Sequence, residues 1–183
     1  MLLVVVALLA VATIPLSRGR ISRLADVRLR LPGLAIAGLL AQVLIISVVP
    51  DLPGWLATAV HVVSYGLVLA FVWCNRHLPG LWLVALGGLS NLVVITANEG
   101  VMPASADALR TAGRSPTEEG FTNSEVLSDA RLELLGDVLP MPSWMPFANV
   151  FSIGDVLIAV GVFICVHAIG RGHGVPNEAS TVG

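Results

Sequence analysis

The sequence predicts an all-α membrane protein of about five transmembrane helices, with an extracytoplasmic loop that carries one amphipathic helix. Three observations predict it. The chain of 183 residues is 56% hydrophobic and only 12% charged, with a mean hydropathy of +0.88, well outside the balance of soluble domains. Its apolar residues fall into runs of membrane-spanning scale, separated by short polar or Pro/Gly-bearing connections. All ten basic residues are Arg, and most of them fall in the connections that an alternating topology places on one side.

That segregation argues for an orientation and gives no support to nucleic-acid binding. Cys74 and Cys165 both lie in apolar segments, without CxxC or Cys/His ligand spacing, and read as small apolar residues. No metal and no cofactor is expected.

Residues 1–16 form an apolar run with no basic residue before it and Arg18 and Arg20 after it. The charge is on the wrong flank for a cleaved signal peptide, so this reads as a retained first span with its N-terminus outside. Residues 17–30 follow, with Arg18, Arg20, Arg23, Arg28 and Arg30 relieved only by Asp26. They read as the cytoplasmic, positive-inside loop, a surface for anionic lipid.

Span two, about 31–50, ends at Asp51-Leu52-Pro53-Gly54, a turn. Span three, about 55–74, has Trp55 and Trp73 near its ends as interfacial anchors. Within it His61, Ser64 and Tyr65 share one helical face, which should meet other helices. After the cytoplasmic connection Asn75-Arg76-His77 comes span four, about 80–97, whose Gly87 and Gly88 permit close helix approach. Asn91 and Asn98 lie seven residues apart on nearly one face, which should point into the bundle.

Residues 98–150 are assigned outside, too long an excursion to be a plain connector. Thr122 and Glu125 have capping-box spacing and Pro140 is a stop, so a helix is expected over about 123–139. Its Glu125, Asp129, Glu133 and Asp137 would form an acidic stripe, solvated or open to a divalent cation such as Ca²⁺, unless Asp137 alone turns inward. The Pro-rich stretch Pro140–Phe147 reads as an interfacial wedge. Span five, about 151–170, leads to a cytoplasmic tail, 171–183, with Arg171 and His173.

Two aspartates flank the wedge. Ser152 and Asp155 fit the S-x-x-D helix-start pattern, which gives Asp155 a local role as a cap. The sharper possibility is that Asp137 and Asp155 meet at the outer rim and share a proton, one acting as acid while the other activates water.

The pieces Leu135-Gly136-Asp137-Val138-Leu139 and Phe151-Ser152-Ile153-Gly154-Asp155-Val156 resemble the two catalytic blocks of lipoprotein signal peptidases (signal peptidase II). Asp129-Ala130-Arg131 and Asn98-Glu99-Gly100 are similar to further elements of that family. The resemblance implies an aspartyl peptidase with Asp137 and Asp155 catalytic and Asn98, Arg131 and Ser152 positioning. Ser152 stands where that family has Asn, and no spans separate Asn98 from Asp137. Over its whole length the chain is more similar to an uncharacterised family of bacterial polytopic membrane proteins, a domain of unknown function, through its Asn-x-Gly-x-Met-Pro and Phe-Ser-Ile-Gly-Asp elements.

The expectation is therefore a multi-pass protein of a bacterial cytoplasmic (inner) membrane, N-terminus outside and C-terminus in the cytoplasm. The first functional reading is a non-enzymatic component whose outer loop binds a membrane protein or lipid. The alternative is an aspartyl hydrolase acting on a membrane-embedded or lipid-linked substrate, and the third is a small transporter, against which the lack of a mid-span acidic residue counts.

Overall fold

The computed structural model describes residues 2–47, 54–115, 124–145 and 148–175, and within them the chain is mostly helical. Helix α1 (Leu2–Thr13) runs into a 3-10 turn, Ile14–Ser17, entered through Pro15; the short α2 is Arg23–Asp26. The long helices α3 (Pro32–Ser47), α4 (Gly54–Cys74) and α5 (Leu81–Ala97) follow, then α6 (Ala106–Thr111) and α7 (Ile153–Gly170). By length and composition one helix, α7, could cross a membrane; the apolar helical stretches Leu2–Ser17, Pro32–Leu44, Thr58–Cys74 and Leu81–Ala97 are shorter. The turn at 51–53 and the tail beyond residue 175 lie outside the described residues.

The long helices stand in a row, in the order α1, α7, α5, α4, α3. Small residues set how closely neighbours approach. A Cβ on Gly87 would lie 2.3 Å from the carbonyl oxygen of Gly154, and one on Gly80 2.3 Å from that of Gly161. Two glycines seven residues apart on α5 or at its start thus face two glycines seven apart on the antiparallel α7, and the backbones touch. Gly38 does the same between α3 and α4, where a Cβ would lie 2.7 Å from the Ser64 carbonyl oxygen. Between α1 and α7, Thr13 Oγ1 and the ring Nε2 of buried His167 stand 3.3 Å apart.

The outward faces are as apolar as the contacts. Leu8, Leu40, Val63 and Trp82 are each at least 60% exposed. A helix that is hydrophobic all round is either enclosed by protein or spans a membrane.

One end of the row gathers the arginine-bearing segments. Arg20 N and Arg23 Nη1 both donate to the Gly170 carbonyl, at 2.8 and 3.1 Å, so a cation sits on the C-terminus of α7 where the helix dipole favours it. Arg28 N donates to Gly174 O, and Asn75 binds the backbone of Arg30, which brings the turn after α4 to the same end. The described residues between 98 and 151 cover the opposite end.

That cover departs from the expected helix over 123–139, of which Thr122 lies outside the described residues. Among those described, Ser124–Glu125 is a strand, β2, parallel to β1 (Met102–Pro103); Glu133–Leu135 is a single 3-10 turn. Leu132 takes a left-handed conformation with φ of 57°. The physical reason is tertiary. The backbone of Arg131 is held by Asn98, and Asp137 pairs with the β1 edge, its N–H donating to Pro103 O at 2.8 Å. Gly136 admits that approach, since a Cβ there would lie 2.4 Å from the Pro103 carbonyl oxygen. Capping and spacing favour a helix by tenths of a kcal/mol per residue, and these longer-range bonds outweigh that preference. The loop's actual helix is α6, capped by Ser105 Oγ accepting from Ala108 N, with Ala108, Leu109 and Ala112 buried against Val150.

The Pro-rich stretch closes into a hairpin. Leu139–Pro140 (β3) pairs antiparallel with Val150–Phe151 (β4), and Trp144 at its tip is 81% exposed. Residues 146–147 lie outside the described residues.

Candidate functional site

The site is built where α4, α5 and α7 meet the loop. Ser152 is extended at φ −93° and ψ 167° and starts α7 with a full capping box. Its Oγ accepts from Asp155 N at 3.0 Å, and its own N–H donates to Asp155 Oδ2 at 3.2 Å. Asn91 of α5 completes a ring: Nδ2 donates to Asp155 Oδ1 at 2.9 Å, and Oδ1 accepts from Ser152 Oγ at 2.9 Å. Ser152 is fully buried and Asn91 nearly so. Both oxygens of the half-buried Asp155 carboxylate therefore accept a hydrogen bond within one polar knot.

Asn91 reaches α7 only because position 154 is glycine. Tyr65 of α4 adds a third helix; its hydroxyl is within hydrogen-bonding reach of the side chains of Asn91 and Gln42. The polar face expected on α4 does turn inward, with His61 and Ser64 buried. Asn91 and Asn98 likewise face inward from α5.

Asn98 ends α5 and grips the loop. Its Nδ2 donates to Val94 O and to Arg131 O, both at 2.8 Å, and its Oδ1 accepts from Arg131 N at 2.8 Å. Glu99 and Gly100 then turn at φ 57° and 99°, and Gly100 N closes onto Ile95 O at 2.8 Å. The Asn-x-Gly-x-Met-Pro element is thereby a helix stop followed by a buried strand, with Met102 and Pro103 in the interior.

Asp137 is buried at 7% exposure, apart from Glu125, Asp129 and Glu133, which stay on the surface. Asp137 is thus the one acidic residue of the expected stripe that turns inward. Asp155 is hydrogen-bonded to Asn91 and Ser152. Arg131 acts through its backbone, and its side chain is exposed. Arg18, Arg20, Arg23, Arg28 and Arg30 lie at the far end of the row. Asn91 as the bridge, and Gln42, were not expected as site residues; the only sequence signal for the bridge was the spacing of Asn91 from Asn98 beside Gly87 and Gly88. Among the described residues no three His, Cys, Asp or Glu side chains gather to hold a metal ion.

The fold and site define a mostly helical chain, a row of apolar helices sealed at one end by a loop that buried asparagines lock in place. The chain belongs to DUF5317, a family of unknown function, whose sequence pattern matches residues 26–167 and so includes the whole site. A protein of Thermotoga maritima, described as an uncharacterized protein, is 32% identical over 100 residues, covering 54% of this chain and 56% of that protein. The chain thus spans about half the length of the relative it matches. No solved structure matches it.

Proposed function

We propose that this chain is a five-span integral membrane protein, with the loop of residues 98–150 outside and the arginine-rich end in the cytoplasm. In this reading it is a non-enzymatic component whose outer loop binds a membrane partner or lipid. Apolar outer faces on all the long helices support the membrane placement, and the gathering of arginines at one end supports the orientation. The observation that carries the non-enzymatic reading is the hydrogen bonding of each Asp155 carboxylate oxygen, one to Asn91 and the other to Ser152. A carboxylate held as a cap and an interhelical acceptor is placed for structure.

The test uses the tagged full chain extracted mildly from membranes. A stoichiometric protein or lipid should copurify, and reversing the exposed charges Glu125, Asp129 and Glu133 to Lys should remove it while the helices stay folded. A chain that purifies alone sinks the reading.

A second reading is favoured by one observation, the burial of Asp137. Under it the loop end is an aspartyl hydrolase site for a membrane-embedded substrate. Folded Asp137→Asn and Asp155→Asn variants should then each abolish turnover of a lipidated peptide, and full activity in either removes this reading.

A further inference from the structure

At the arginine-rich end, a groove of about 590 Å³ opens between the start of α3 and the end of α4, lined by Arg30, Leu31, Trp73, Cys74 and Arg76. The fold holds the backbone of Arg30 and the side chain of Arg76. Asn75, fully buried, donates from Nδ2 to Arg30 O and Phe71 O, both at 2.8 Å, and accepts Arg30 N on Oδ1 at 2.8 Å. Both N–H groups and the oxygen of that amide are used in holding the Arg30 backbone against the last turn of α4. On the other wall, the Arg76 guanidinium lies 4.6 Å over the Trp73 ring and donates from Nη1 to Trp73 O at 3.3 Å.

No carboxylate lines the groove, and among the described residues neither Arg30 nor Arg76 forms an ion pair. The remaining walls are Leu31, Cys74 and the mostly exposed indole of Trp73, continuous with the apolar flanks of α3 and α4. An occupant therefore needs an anionic head for two guanidiniums and an apolar tail for the helix faces. The volume is of the size that holds a ligand of many atoms, and a free phosphate would leave the apolar wall unfilled.

We propose that this groove is a binding site for one anionic phospholipid of the cytoplasmic leaflet, its phosphate between Arg30 and Arg76 and an acyl chain along Trp73, Leu31 and Cys74. The site rests on the membrane reading above and differs from the diffuse attraction of the Arg18–Arg30 loop by being a single place with a fixed geometry. Two guanidiniums near an anionic head contribute about 2 kcal/mol, or about thirtyfold in affinity.

The experiment is native mass spectrometry of the detergent-solubilised full chain titrated with phosphatidylglycerol or phosphatidylcholine. The wild type should retain one phosphatidylglycerol with a preference of about thirtyfold, and Arg30→Gln/Arg76→Gln should bring the two lipids within about twofold. Arg18→Gln/Arg20→Gln, off the groove, should keep the preference. Equal losses in the two pairs overturn the proposal in favour of diffuse charge, and full competition by glycerol phosphate overturns it in favour of a small-anion site. A reading independent of variants is maleimide modification of Cys74 in the wild type, followed by peptide mapping. Phosphatidylglycerol should slow it and phosphatidylcholine should not; equal rates also overturn the site. Release of the chain from membranes by alkaline carbonate would instead remove the membrane reading itself, an outcome distinct from an embedded chain without lipid preference.

Discussion

Gly154 lies directly beneath Asn91: a Cβ at position 154 would sit 1.9 Å from Asn91 Oδ1 and 2.8 Å from the Gly87 carbonyl oxygen. A single methyl group there must displace either the bridging amide or the α5 backbone. Gly154→Ala should therefore cost about 1–3 kcal/mol, the usual penalty for overpacking. Denaturation in mixed micelles measures it, and a variant as stable as the wild type would show that the two helices do not meet as described.

The knot of Asn91, Ser152 and Asp155 should behave as a unit. Ser152→Ala alone should lose about 0.5–2 kcal/mol through the helix cap. In a double-mutant cycle with Asn91→Ala, a coupling of about 0.6–1.7 kcal/mol is expected, the range for interhelical hydrogen bonds in membranes. Strict additivity of the two substitutions would dissolve the ring into independent contacts.

Asn98 and Arg131 should respond unequally although they are bonded partners. The bonds use the Asn98 side chain and the Arg131 backbone. Asn98→Ala should expose residues 124–139 to rapid hydrogen exchange, whereas Arg131→Ala, whose side chain is exposed, should stay within about 0.5 kcal/mol of the wild type. Equal disruption by both would mean that the arginine side chain carries the contact.

Orientation can be read from two exposed positions at opposite ends. In a chain lacking Cys74 and Cys165, a membrane-impermeant maleimide applied to intact cells should label Ser143→Cys in the hairpin and leave His77→Cys untouched. The reverse pattern would turn the proposed topology over.

The long helices were legible because hydropathy, Pro and Gly mark them one by one. Each apolar run needs no partner to be recognised, and Pro15, Pro32 and Gly80 punctuate their starts or ends. The Ser152/Asp155 cap was legible for the same reason, since its two residues are three apart and bond each other. The bridge from Asn91 was not, because its partners lie 61 and 64 residues away. The expected helix over 123–139 failed on the same ground. Its capping residues and periodic acids are local signals, while Asn98 and Pro103, which hold the segment extended, reach it from about thirty residues upstream. Gly154 and Gly161 carry no local mark at all; their meaning depends on Gly87 and Gly80 in another helix.

The order of the helices in the row has a consequence for how the molecule is made. Helix α7, the last of the described helices to leave the ribosome, stands between α1 and α5, and α1 packs principally on it. Until α7 arrives, α1 has no neighbour to dock against and remains tethered only through the arginine-rich turn. Docking of α1 therefore waits on the synthesis of α7: a nascent chain stalled before Phe151 would carry α3, α4 and α5 without the helix on which α1 packs.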